Sequence, residues 1–162
     1  MSAEKKKQMG VLGLIVALVV VLIGGVLFVG AASGWFDDPK VVLDAEYKGD
    51  FDGYWELSAE EYDELVAAQK SFVVFVDQDG CVTADKLRGY VEGWARDNGV
   101  KVYRMMFSDM KKSGLHEVVK YYPSFAVVSR GKPTAWLRAD ADEDAEAYNS
   151  DEAFRVWISK YL

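Results

Sequence analysis

The sequence is poor in the residues that most often carry chemistry: among 162 residues there is one cysteine, Cys81, one histidine, His116, and three prolines. A single cysteine excludes an internal disulfide and leaves a partner thiol, a mixed disulfide or simple inertness as its possible uses. A single histidine excludes sites built from paired imidazoles. With no second ligand type close by in sequence, His116 is read as a surface residue rather than a metal ligand or base. Positive charge is also scarce, with 19 Lys and Arg against 26 Asp and Glu and a net charge of -7. Because residues 1–36 hold three lysines against Glu4, the remainder carries -9. A body that acidic lacks the basic face that phosphate binding needs, which excludes nucleic acid as a partner. No internal repeat is present, and no residue pattern calls for a metal or a cofactor.

What the chain has in plenty is apolar sequence at its start. No charged residue falls between Met9 and Phe36, and Val11 to Val29 is apolar apart from glycines. At 1.5 Å per residue that run is long enough to cross a hydrocarbon core of about 30 Å. It exceeds the h-region of about 7 to 15 residues usual in cleaved signals, so a signal-anchor is expected. Ala31-Ala-Ser-Gly34 keeps a cleaved signal open. Lys5-Lys6-Lys7 precede the run and Asp37 and Asp38 follow it. The basic side stays in the cytoplasm, which makes this a single-pass protein of the cell membrane with its C-terminal body outside. The expected organisation is a cytoplasmic N-terminus over 1–8, a transmembrane helix over 9–34, a juxtamembrane linker over 35–53 and a folded domain over 54–162. Val41 to Tyr47 could alternatively pair with a sheet edge.

Within the domain, Tyr54 to Leu57 reads as a short strand. Ser58-Ala-Glu-Glu61 is a capping box, opening a helix whose apolar face is Tyr62, Leu65 and Val66. Phe72-Val-Val-Phe-Val76 lacks the alternation of a half-wet strand and predicts a central strand covered on both faces. Asp77 to Gly80 breaks it. The following helix, capped by Thr83 or Asp79, carries Leu87, Tyr90, Val91 and Trp94 at helical spacing and stops at Asn98-Gly99. Cys81 therefore lies at a helix N-terminus, where free amides and the helix dipole favour a thiolate. A reactive thiol and an inert buried one both fit that placement. Val100 to Phe107 predicts a strand and Asp109 to Tyr121 a helix. Tyr121 to Val128 then predicts an aromatic-proline step leading into a strand, and Pro133 to Arg138 its hairpin partner, which either starts at Pro133 or runs at an edge. Asp151 to Leu162 is a closing amphipathic helix facing inward with Phe154, Trp157, Ile158 and Tyr161. The acidic run Asp140 to Asp151 has some calcium-loop spacings, but Ala145 stands where glycine is needed, so a solvated loop is expected.

This order, with FVVFVDQDGC leading to the cysteine, YYPSFAVV at the proline and SRGKPTAWLR as a terminal hairpin, resembles the thioredoxin-like superfamily over Tyr54 to Leu162. The resemblance implies an α/β fold with a central mixed sheet flanked by helices. It also implies a cis Tyr122-Pro123 bond and a loop, Tyr122, Pro123 and Ser124, that binds extended peptide beside Cys81. The family's CxxC motif reads Cys81-Val-Thr-Ala84 here, and the buried acidic position of many thioredoxins aligns with Phe75. Dithiol exchange needs a second thiolate to release the mixed disulfide. The expected function is therefore a membrane-tethered module that binds peptide or protein at the Cys81/Pro123 face. One alternative is a monothiol oxidoreductase with Cys81 as nucleophile and Thr83 as hydrogen-bond donor to its thiolate. Asp77 and Asp79 are expected to oppose that thiolate. The other alternative is an accessory subunit of a membrane complex, making its contact through residues 11–29.

Overall fold

A computed structural model describes residues 40–162; the expected cytoplasmic segment and membrane span, over 1–8 and 9–34, lie outside them. Among the described residues no helix is long and apolar enough to cross a membrane. In chain order the elements are β1 (Trp55–Glu56), α1 (Ala59–Ala67), β2 (Phe72–Asp77), α2 (Val82–Asn98), β3 (Tyr103–Met106), the short α3 (Phe107–Met110), β4 (Ser124–Ser129), β5 (Lys132–Trp136) and α4 (Asp151–Ile158). The five strands form one mixed sheet in the order β1-β3-β2-β4-β5. β3 runs parallel to β1 and β2, whereas β4 is antiparallel to both β2 and β5.

The uninterrupted apolar run of β2 is central and wholly buried, as its lack of alternation predicts. Val73 and Phe75 point into one core layer with Leu87, Val91 and Trp94 of α2 and Phe154, Trp157 and Ile158 of α4. Phe72, Val74 and Val76 point into the other with Tyr62 of α1, Met105, Met110 and Leu115. In the first layer Phe125 meets Trp94, Phe154 and Trp157 edge to face at 5.7, 5.4 and 6.4 Å between ring centroids. Each such pair adds about 0.5–1.5 kcal/mol beyond the area it buries.

Local signals set the helix ends. Ser58 and Glu61 form the expected reciprocal capping box, and Gly99 ends α2 in the left-handed region at φ 59°. The hairpin turns through Arg130 and Gly131, both at positive φ, and the proline-bearing strand β5 is an edge.

Three expectations are corrected. Of the segment expected as a linker over 35–53, residues 40–53 belong to the same compact unit as the rest, and the alternative, pairing of Val41 to Tyr47 with a sheet edge, comes nearer, since the Tyr47 carbonyl accepts from Lys101 N-H ahead of β3. Leu43 and Tyr47 are buried, Asp44 exchanges hydrogen bonds with Ser71, and Lys48 bridges Val100. That pairing takes up Val100 and Lys101, whose N-H donates to the Tyr47 carbonyl, and the Val102 carbonyl accepts from Trp55 N-H at the start of β1. The helix expected over Asp109 to Tyr121 is instead α3 followed by a 3-10 turn, Gly114–Glu117. Its interruption has a local cause: the Ser113 hydroxyl donates to the Met110 carbonyl and accepts from Leu115 N-H, so the serine competes with the helical ladder. Finally, the acidic run is not merely a solvated loop. It forms a 3-10 segment, Asp142–Tyr148, with Asp144 and Ala147 buried.

Candidate functional site

The site lies at the end of the sheet where β2 and β3 finish and β4 begins. Val76 is in register with Ser124, and Asp77 with Met106. One edge of the sheet therefore carries both the turn to Cys81 and the chain leaving Pro123. From Asp77 the backbone turns through Gly80, at φ 72°, with Cys81 N-H donating to the Gln78 carbonyl at 3.4 Å. Cys81 is the N-cap of the 17-residue α2, and its side chain makes no capping hydrogen bond. Neither Thr83 nor Asp79, expected as caps, takes that place. The thiol is partly exposed, Val82 and Thr83 are exposed, and Ala84 is fully buried. Among the described residues no hydrogen bond joins Thr83 to Cys81.

Beneath the turn lies a buried carboxylate at a different place from the one the resemblance suggested. Phe75 belongs to the core, and the acid is Asp77, with no solvent exposure. Its oxygens accept from Arg88 Nη2 at 2.8 and 2.9 Å, from Arg88 Nε at 3.1 Å and from Gln78 N-H at 2.8 Å. Arg104 Nη1 lies 3.6 Å away. Asp77, expected to act against a thiolate at position 81, is held by Arg88, and Arg104 is shared with Glu56 at 2.7 Å. Arg88 also reaches Asp85 at 2.8 Å, so β2 and α2 are clamped on either side of the Gln78–Cys81 turn.

The Tyr122-Pro123 peptide is cis. Pro123 is buried, while Tyr121 and Tyr122 are exposed at 52% and 40%. Among the described residues, the amides and carbonyls of Tyr121 and Tyr122 have no backbone partner. Ser124 does not face outward as expected: its side chain is buried and donates to the Leu137 carbonyl at 2.8 Å. Two contacts that sequence reasoning missed hold the loop. Phe107 packs on Tyr122 at 4.5 Å between ring centroids, and the Tyr148 hydroxyl donates to the Pro123 carbonyl at 2.9 Å. Burial raises the Tyr148 phenol pKa above the usual range, and the nearby charges of Asp144 and Asp140 add to the rise. The phenol thus stays a neutral donor. Its signal in the sequence was an aromatic residue inside an otherwise acidic stretch. Asp144 fixes the segment that carries Tyr148 by accepting from Arg138 N-H at 2.9 Å and from Arg138 Nε at 3.1 Å.

His116 lies in the 3-10 turn, with Nδ1 3.2 Å from the Val119 carbonyl and its own carbonyl accepting from Lys120 Nζ. Among the described residues no group of three or more acidic, histidine or cysteine side chains is arranged to hold a metal ion.

Comparison by sequence finds no matching protein family and no matching curated protein. Comparison by structure does find solved proteins of similar fold. A point mutant of thioredoxin from Halobacterium salinarum NRC-1 superposes with a TM-score of 0.51 at 15% identity, over 70% of this chain and 94% of that one. Oxidised thioredoxin from Plasmodium falciparum superposes with the same score of 0.51 at 16% identity, over 67% of this chain and 98% of that one. The fold is thioredoxin-like. At these identities the likeness speaks for the architecture alone, so the chemistry has to be argued from the residues at the thioredoxin-like edge just described.

Proposed function

We propose that this chain is a membrane-tethered, outward-facing thioredoxin-like module that docks an extended segment of a partner protein on the Tyr121–Pro123 loop and performs no dithiol exchange. The observation that carries this reading is the combination of one cysteine in the sequence with a buried alanine three residues after it. The place for a second thiol is filled by a methyl group, while the loop across from it keeps exposed aromatic rings and free main-chain groups. Main-chain donors and acceptors on an exposed edge supply affinity for an extended segment, and neighbouring side chains supply selectivity. The tether is the apolar run over 11–29, with the triple lysine setting its orientation.

A panel of unstructured peptides titrated against the full-length protein in detergent tests this. Binding that survives Cys81→Ser and is lost in Tyr121→Ala/Tyr122→Ala supports docking. Catalytic turnover of a small-molecule disulfide that disappears in Cys81→Ser overturns it in favour of a monothiol oxidoreductase. That second reading draws on the partial exposure of Cys81 at the N-terminus of a long helix, with no capping hydrogen bond to occupy its side chain.

A further inference from the structure

The surroundings of the docking loop carry opposite charge on its two sides. On one side Lys111 Nζ lies 5.2 Å from the centroid of Phe107, the ring that packs on Tyr122. Lys120 immediately precedes the exposed tyrosines. Of the lysines in this stretch, Lys112 is paired with Asp109 at 2.8 Å. Among the described residues Lys111 and Lys120 have no carboxylate within ion-pair distance, and both are exposed, although the Lys120 ammonium donates to the His116 carbonyl. On the other side, Tyr148 joins Pro123 to the acidic segment. There Arg138 is taken by Glu143 at 2.6 Å and Asp144 at 3.1 Å, leaving Asp140 and Asp142 exposed without a cationic partner among the described residues. Contacts therefore run across the site in the order Lys111, Phe107, Tyr122, Pro123, Tyr148, with ammonium groups that no carboxylate holds at one end and carboxylates that no cation holds at the other.

We infer that the loop selects a bipolar partner segment: an extended peptide with carboxylate side chains at the end that lies over Lys111 and Lys120, and cationic ones at the end that lies over Asp140 and Asp142. This inference rests on the docking reading above. Main-chain pairing fixes the direction in which a segment lies, so the order of charges along the segment becomes a selectivity determinant. Like charges set opposite each other reject the reversed order. The occupant is a protein segment, because a nucleic acid or an anionic lipid surface satisfies the lysines but is repelled by the acidic side.

The test uses three cysteine-free nine-residue peptides of identical composition with a neutral, apolar middle. The first has two Glu at its N-terminal end and two Lys at its C-terminal end, the second has the reverse, and the third has the charges alternated. Binding to the full-length protein is read by fluorescence anisotropy. One of the two bipolar orders should bind about fivefold more tightly than the other two peptides, the sum of a few exposed ion pairs. The preference should vanish at 0.5 M salt and in Lys111→Glu/Lys120→Glu, whose thermal unfolding should stay close to wild type because both side chains are exposed and only one exposed hydrogen bond, from Lys120 to the His116 carbonyl, is lost. Equal affinities that fall in Tyr122→Ala overturn the charge inference and leave docking intact. A preference unchanged by the double lysine variant also overturns it. No binding of any peptide overturns both.

Discussion

Removing Arg88 should damage the protein more than removing the acid it serves. Asp77 is fully buried and takes three of its four close hydrogen bonds from the Arg88 guanidinium. In Arg88→Met it keeps only Gln78 N-H and Arg104 at 3.6 Å. Stranding a buried charge by deleting its partner costs about 3–5 kcal/mol, and the remaining arginine places this case near about 3 kcal/mol. For a domain of this size that corresponds to a fall in Tm of about 12 °C, at about 4 °C per kcal/mol. Asp77→Asn is the converse change. It leaves a guanidinium whose side chain is 25% exposed and still paired with Asp85, so hydration and that carboxylate compensate and the cost is about 1–2 kcal/mol. The double variant should then be more stable than Arg88→Met alone, a coupling of at least about 1 kcal/mol for two groups in direct contact. Urea unfolding followed by tryptophan fluorescence measures all four corners of the cycle. If Arg88→Met lies within 1 kcal/mol of wild type, or the two single effects simply add, the account of Asp77 as a charge held in place by its arginine is refuted.

The hairpin turn makes a second contrast. A Cβ at Gly131 would lie 2.2 Å from the Val66 carbonyl oxygen with φ at 71°, whereas one at Gly80, also at positive φ, meets nothing within 4 Å. Gly131→Ala should cost about 3 kcal/mol or more and Gly80→Ala about 1 kcal/mol, both read from chemical denaturation; equal costs would remove the argument from close approach. Glu61 is held below its ordinary pKa of 4.5 by the Ser58 backbone amide and then its hydroxyl, and Glu143 by its own backbone amide and then Arg138. A lowered folded-state pKa gives stability present above the unfolded value and lost as pH falls through the folded one. The advantage of wild type over Glu61→Gln/Glu143→Gln should therefore be full at pH 7 and shrink below about pH 4.5, and a gap that widens on acidification contradicts the assignment. Ala84→Cys should build a pair that closes on mild oxidation, taking the count of reactive thiols from two to none. The overpacking should cost about 1–3 kcal/mol, and two thiols that persist under oxidant would show that the turn lacks the geometry for a disulfide.

The fold was legible where one local signal acted without competition. The apolar run of β2, the Ser58–Glu61 box, the Gly99 stop and the Tyr121–Val128 step each specify their element through their own residues. Legibility failed where the deciding partner was distant in sequence. The stretch from Val41 to Tyr47 reads as linker or as a partner for a sheet edge, because nothing local shows that residues 44 and 48 pair with residues 71 and 100. The Asp109–Tyr121 helix was read from periodicity alone, whereas Ser113 and Gly114 supply the competing capping chemistry. At the site, Cys81 and the cis proline could be placed from sequence. Tyr148, Phe107 and the Asp77–Arg88 pair could not, because their roles arise only when the sheet brings separate segments to one edge.

That division bears on the choice between docking and catalysis. The residues legible from sequence alone, Cys81 and Thr83, are those a thiol mechanism requires, and among the described residues no hydrogen bond joins them while a methyl group fills position 84. The residues revealed only by folding do the opposite. Phe107 packs on the Tyr122 ring and Tyr148 holds the Pro123 carbonyl, with Asp144 bracing the segment that carries Tyr148 through Arg138, while Tyr121 and Tyr122 stay exposed. Such support limits the ordering cost that binding an extended segment imposes on a loop, and preorganisation of that kind raises affinity without adding a contact. Loosening the support should therefore weaken binding more than it weakens the fold. In Tyr148→Phe, which loses one hydroxyl, peptide affinity should drop severalfold for about 1 kcal/mol of stability. Unchanged affinity at that stability loss would mean that the phenol serves the hairpin alone and that the loop needs no holding.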